Sequence, residues 1–214
     1  MIISNKYNMD NISKLIEKFS QFPGVGGRQA KRFVYFLLSQ DKNYAQALST
    51  IILQLSDSVT KCSHCFRFFL SSSIDASVCN ICASANTDKT LLMIVAKDVD
   101  LENMQKSNTF NGRYFILNGL MSIASKKDSV GLRTTELVRE IKRAIEEDNL
   151  QEIIFAFTVN PEGDNTKMFI KQLLQPLIEK HKIKITTLGR GLSTGTELEY
   201  SDSNTLKSAL QNRE

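Results

Sequence analysis

Cys62-Ser63-His64-Cys65 and Cys79-Asn80-Ile81-Cys82 hold all four cysteines of this 214-residue chain within a span of 21 residues. Each CxxC turn points two thiolates at one ion, and the loop between them brings the second pair back to the first. That spacing predicts a tetrahedral four-thiolate site for one Zn2+. Four thiolates close the coordination shell and leave no place for water, so the ion is expected to be structural. A single CxxC would have suggested redox chemistry. His64 lies between two ligands and is expected to be a bystander. His181, the other histidine, sits in a Lys-rich stretch without a partner nearby in sequence, so histidine-based acid–base chemistry has little support.

A second constellation is Phe22-Pro23-Gly24-Val25-Gly26-Gly27-Arg28, placed between two amphipathic stretches. Gly24 and Gly26 allow a turn with positive φ and a close approach of backbone to phosphate. Amides opening the next helix would face an anion with the positive end of the helix dipole. Arg28, Lys31 and Arg32 follow at once. Such contacts hold phosphates and read no bases, which predicts DNA binding that is sequence-independent and sensitive to salt. A glycine-rich helical turn without a ligand is the plainer alternative.

The elements that must position these residues follow from periodicity. Ile12, Leu15, Ile16 and Phe19 repeat at helical spacing, as do Leu48, Ile51, Ile52 and Leu55, and Ala30, Phe33, Val34, Leu37 and Leu38 mark a helix between them. The cysteine segment is too short to own a core. From Leu91 the pattern becomes alternating: strands at Leu91–Ala96, Arg113–Leu117, Ile153–Phe157 and Ile183–Leu188, and helices around Leu137–Ile145 and Phe169–Leu177. This implies a mostly parallel sheet with helices on its faces. The fold class expected is therefore a multi-part α+β and α/β chain.

Composition sets few limits. The chain is 42% hydrophobic and 23% charged, ordinary for a globular protein, and no apolar run approaches the roughly 20 residues of a membrane span. Met1-Ile2-Ile3-Ser4-Asn5-Lys6 lacks signal-peptide architecture, which places the expected location in the cytoplasm, where reduced cysteine clusters bind metal. Residues 1–82 carry nine Lys/Arg and five acids, while the rest carries 18 of each sign, so the net charge of +4 lies entirely in the N-terminal part. Such asymmetry suits a polyanion-facing end or a solvated basic face.

The order of parts, from Ile12 to Arg213, resembles the bacterial recombination-mediator family RecR. Besides the hairpin and the second cysteine pair, the segments carrying the resemblance are Gly112-Arg113-Tyr114-Phe115, Glu162-Gly163, and Arg190-Gly191-Leu192-Ser193-Thr194-Gly195 continuing through Glu197-Leu198-Glu199-Tyr200. The resemblance implies a helix-hairpin-helix domain over 1–60, a four-cysteine zinc finger over 61–84, a Toprim domain over 88–188 and a short C-terminal segment over 189–214. It implies a non-enzymatic, nucleoid-associated DNA clamp that binds single- and double-stranded DNA. Family members assemble into rings, commonly tetramers, and work with RecO (and RecF) to load RecA recombinase at single-stranded gaps.

Departures from the family pattern matter as much. Catalytic Toprim domains hold Mg2+ with a glutamate after the first strand and an acidic pair after a later one. Here Ala96 stands at the first position, and the pair is Glu162 and Asp164. Two acids leave open a hydrated Mg2+, a basic partner surface, or a helix cap at Asp164. The Ile123–Val130 loop lacks the glycines usual in the family, and Arg28 stands where lysine is more usual. The rival readings are a Mg2+-dependent nuclease or topoisomerase-like enzyme on the Toprim fold, and a purely structural zinc-stabilised interaction protein.

Overall fold

Asp10 and Asp41 each accept a backbone N–H three residues on, from Ser13 at 2.7 Å and from Tyr44 at 2.8 Å, and so cap two helices. The helices of the N-terminal part are α1 (Asn11–Ser20), α2 (Gly27–Ser39) and α3 (Lys42–Ser58). They lie where the apolar periodicity predicts them. The computed structural model describes residues 10–70, 77–122, 131–189, 191, 201 and 203–211, and the chain divides into two units, Met1–Val59 and Thr60–Glu214. In the first unit α1 packs on α2, and Phe19 meets both Phe22 and Phe33 edge-on at 5.6 and 5.9 Å. Among the described residues of this unit only Ala30 and Val34 are buried. Large apolar side chains of α3 remain exposed, Leu53 at 69%.

The second unit opens within β1 (Val59–Lys61), which pairs with β2 (Phe68–Leu70) and with it brackets the first cysteine pair; the short helix α4 (Asn80–Ala83) carries the second. Then come β3 (Asp88–Val95), α5 (Asp98–Ser107), β4 (Gly112–Ile116), α6 (Thr134–Asp148), β5 (Glu152–Ala156), α7 (Pro161–His181), β6 (Lys184–Thr187) and α8 (Ser203–Gln211). The larger sheet has the order β4-β3-β5-β6 with every neighbouring pair parallel, as the alternating pattern implies. Register aligns Leu92 with Arg113 on one side and with Ile153 on the other.

Side chains alternate between the faces of the sheet. Leu92, Ile94, Phe115, Ile153 and Phe155 pack with Leu137 and Ile141 of α6 and Ile170 and Leu174 of α7. Met93, Val95, Tyr114 and Ile116 pack on the other face with Leu101 of α5. Helix α5 escapes the periodicity reading, because Leu101 and Met104 are its main apolar contacts with the sheet. Its start is fixed instead by Asp100, whose carboxylate accepts the Lys97 N–H at 2.9 Å.

Candidate functional site

The cysteine pairs converge through backbone bonds. Phe66 N–H donates to Cys62 O at 3.1 Å, Cys62 N–H to Arg67 O at 2.9 Å, and Ser63 N–H to Ser77 O at 2.8 Å, which ties the two arms together. All four cysteines are buried, and their sulfurs lie within 4.8 Å of one another. Cys65 and Cys79 Sγ are 3.6 Å apart, and Cys79 N–H points at Cys62 Sγ at 3.4 Å. A tetrahedral ion at the zinc–thiolate length of about 2.3 Å spaces its sulfurs about 3.8 Å apart. The cluster therefore fits a metal ion with four sulfur ligands.

The cysteine module is built into the sheet. Ile116 N–H at the edge strand β4 donates to Cys65 O at 2.9 Å. Phe66, at φ 63°, places a bulky residue in the left-handed region, and its ring packs 5.3 Å from Phe115 in the α6/α7 core. Arg133 lies 5.4 Å from that ring and donates to Ile116 O at 3.0 Å and Phe66 O at 3.3 Å. Ile81 packs on the opposite, α5 face.

His64 is outside the four-sulfur cluster but is not the bystander expected from sequence. Its Nδ1 lies 3.0 Å from Glu140 Oε2, within a buried charge network of Glu140, Asp148, Arg113 and Arg143. Arg143 is held well above the usual guanidinium range, chiefly by its bonds to Glu140. Arg113 Nη1 comes within 2.6 Å of Asp148 Oδ2, an ion pair whose angle falls short of a hydrogen bond. No spacing rule could have found this network, because His64 and Glu140, which meet in it, lie 76 residues apart.

In the first unit, Val25 N–H donates to Phe22 O at 3.0 Å and Gly24 has φ 76°, so Phe22-Pro23-Gly24-Val25 is a type II turn with its glycine where positive φ is required. Gly26 precedes α2 without a side-chain cap, and the first turn of α2 carries no acid. Its leading amides thus stay open to an outside acceptor. Arg28, Lys31 and Arg32 are exposed at i, i+3, i+4 spacing and share one helix face. Arg32 Nη1 donates to Gln29 Oε1 at 3.2 Å, beside an open depression lined by Gly24, Val25, Phe33 and Phe36.

At the Toprim position, Ala96 is buried just after β3, and Glu162 and Asp164 lie in the first turn of α7. The cap there is Asn160, which accepts the Gly163 N–H at 2.8 Å, and Asp164 pairs with Lys167 at 2.8 Å. A Cβ on Gly163 would run into the Thr158 carbonyl, so that close turn requires glycine. Among the described residues, the cysteines are the only cluster of three or more metal-ligating side chains. The described residues therefore do not fit a three-carboxylate Mg2+ site. The Ile123–Val130 loop, and Arg190 with Leu192–Tyr200 of the C-terminal motif, lie outside the described residues.

The fold and these sites define a protein that joins a helical hairpin unit to a parallel-sheet unit carrying a four-cysteine cluster fit to hold a metal ion. Comparisons agree. Residues 12–55 match the family model "RecR, helix-hairpin-helix", 90–189 the "Toprim domain" and 191–214 "RecR, C-terminal". The chain is 33% identical to Recombination protein RecR of Chloroherpeton thalassium over 97% of this chain and 98% of that protein. It is 36% identical to the protein of that name from Prochlorococcus marinus strain MIT 9312, over 94% of each chain. The corresponding Lactobacillus helveticus protein is 31% identical over 94% of this chain and 96% of its own. The chain belongs to the RecR family. No helix among its described residues is long and apolar enough to cross a membrane.

Proposed function

We propose that this protein is a recombination mediator in DNA repair that grips the sugar–phosphate backbone without reading sequence. The observation that carries this reading is the hairpin. A type II turn at Gly24, the uncapped start of α2 after Gly26, and Arg28, Lys31 and Arg32 on one exposed face bring backbone donors and cations to the same end of one helix. Single- and double-stranded DNA are the substrates such contacts suit. Cys62, Cys65, Cys79 and Cys82 hold one structural Zn2+, a reading supported by the four-sulfur geometry. The working parts are a DNA-binding domain over 1–60, a zinc finger over 61–84, a Toprim domain over 88–188 and a C-terminal segment over 189–214.

In this reading the protein acts in the cytoplasm, on the nucleoid, with RecO (and RecF) to load RecA at single-stranded gaps. It forms a ring, commonly four subunits in the family, for which the exposed apolar side chains of α3 offer a surface. It does so without catalysing a reaction. Ala96 in place of the glutamate and the Asp164–Lys167 pair support that view. Glu162 and Asp164 then serve a partner contact.

The test is binding to gapped and tailed DNA at increasing salt, without nucleotide, with and without RecO. Affinity should fall steeply with salt. Absence of binding to either DNA form at low salt, with RecO present, would overturn the reading. Incubation of labelled DNA with Mg2+ tests the enzymatic alternative: Mg2+-dependent cleavage that disappears in Glu162→Ala would establish it instead.

A further inference from the structure

Glu140, on α6, is only 6% exposed, and a buried carboxylate needs partners for its oxygens. Its Oε1 accepts Arg143 Nη2 at 2.6 Å and lies 3.6 Å from Arg113 Nη1. Its Oε2 accepts Arg143 Nε at 3.1 Å and meets His64 Nδ1 at 3.0 Å. Asp148 Oδ2 faces the same two guanidinium groups, Arg113 at 2.6 Å and Arg143 at 2.8 Å. Glu140 thus has two arginine partners without the imidazole, and Arg143 Nη1 also binds the exposed Glu147 at 2.8 Å.

A carboxylate only accepts, so Nδ1 of His64 carries the hydrogen in this contact. Since Glu140 is already paired with two arginines, the bond matters chiefly for what it does to His64. That residue lies inside the Cys62–Cys65 turn and directly precedes Cys65. Fixing its side chain to a rigid, buried network fixes the turn that aims two sulfurs. The sheet's ties to this arm, Ile116 N–H to Cys65 O and Arg133 to Phe66 O, act on backbone carbonyls, and within the turn Ser63 N–H donates to Ser77 O of the other arm. His64 adds a side-chain anchor from the turn to α6.

We infer that Glu140 is a positioning residue for the metal centre, acting through the Nδ1–H of His64 to orient the Cys62–Cys65 turn. The inference rests on the zinc reading given above. Partners bonded directly to a metal ligand typically change metal affinity by about 10- to 100-fold, and Glu140, one contact further out through the non-ligating His64, is expected at the lower end of that range.

The test uses zinc-loaded, full-length protein and follows zinc transfer to a chromophoric chelator, with metal content and far-UV circular dichroism measured on each sample. His64→Ala is the primary variant, because it leaves both arginine–carboxylate pairs of Glu140 in place. It should release zinc about tenfold faster than wild type. His64→Asn, whose amide nitrogen can stand where Nδ1 stood, should recover most of the loss. Glu140→Gln should speed transfer in the wild-type background and add nothing in His64→Ala, which separates positioning from a general loss of stability. Equal release from wild type, His64→Ala and His64→Asn overturns the inference while zinc remains bound. An equal effect of Glu140→Gln in both backgrounds also overturns it. Wild-type protein that takes up no zinc overturns the metal reading, and this inference with it.

Discussion

Phe66 and Ile81, one from each cysteine arm, pack on opposite faces of the same parallel sheet. Phe66 directly follows Cys65 and enters the α6/α7 core beside Phe115; Ile81 lies between Cys79 and Cys82 and joins the Met93–Tyr114–Ile116 cluster. An ion that holds the four sulfurs together therefore also holds a clasp closed around β4.

Removing zinc should consequently lower the stability of the whole sheet unit. Binding free energy in a small metal module is largely folding free energy. Cys62→Ser and Cys79→Ser, or strong chelation, should lower the thermal midpoint by several degrees or more, read by near-UV circular dichroism and metal analysis together. A metal-free variant with an unchanged midpoint would contradict this.

The left-handed Phe66 separates backbone strain from packing. Phe66→Ala loses the ring contacts at a cost of about 3–5 kcal/mol. Phe66→Gly loses the same ring but relieves the positive φ, worth about 1–2 kcal/mol. Chemical denaturation should find the glycine variant the more stable of the two. The reverse order would mean that φ 63° carries no strain.

Arg28, Lys31 and Arg32 should act as phosphate contacts. Arg32→Ala should weaken DNA binding by a similar factor on every sequence and reduce the salt slope by about 1 on duplex DNA. A slope unchanged in all three alanine variants would remove the hairpin from the DNA contact.

Leu53 of α3 is largely exposed. If α3 meets another subunit, Leu53→Asp should shift the mass in sedimentation toward the monomer while leaving helix content unchanged. A wild-type protein that is monomeric at high concentration would overturn the ring.

Glu152 accepts the Thr186 hydroxyl at 2.6 Å and the Lys184 ammonium at 3.2 Å, and these bonds, Thr186 first, hold its carboxyl below the ordinary value of 4.5. With the folded value below the unfolded one, the stabilisation is complete above about pH 4.5 and is lost as pH falls through the folded value. Glu152→Gln should lower the thermal midpoint near neutrality and flatten its fall in acid. Parallel midpoint–pH curves for the two proteins would refute this.

Much of the architecture was legible in the chain because β3 and β4 are buried on both faces and read as unbroken apolar runs at Leu91–Ala96 and Tyr114–Leu117. The cysteine spacing and the glycine turn were legible for the same reason: each encodes its geometry locally. Helix α5 was not, having little apolar periodicity. Nor was the clasp, since Phe66-Arg67-Phe68-Phe69 offers three rings and no local rule says which enters a core formed some 50 residues later. His64 and Glu140 share no motif at all, and only the folded chain brings them together.

Strand β4 ends the sheet, yet all five of its residues are buried. An outer strand with free N–H and C=O groups is a template for pairing with another chain. Here Cys65 and Arg133 occupy the amide and carbonyl of Ile116. The first cysteine arm and Arg133 thus cover the outer edge of β4 at Ile116. Whatever loosens that arm would uncover backbone groups with which another chain could pair.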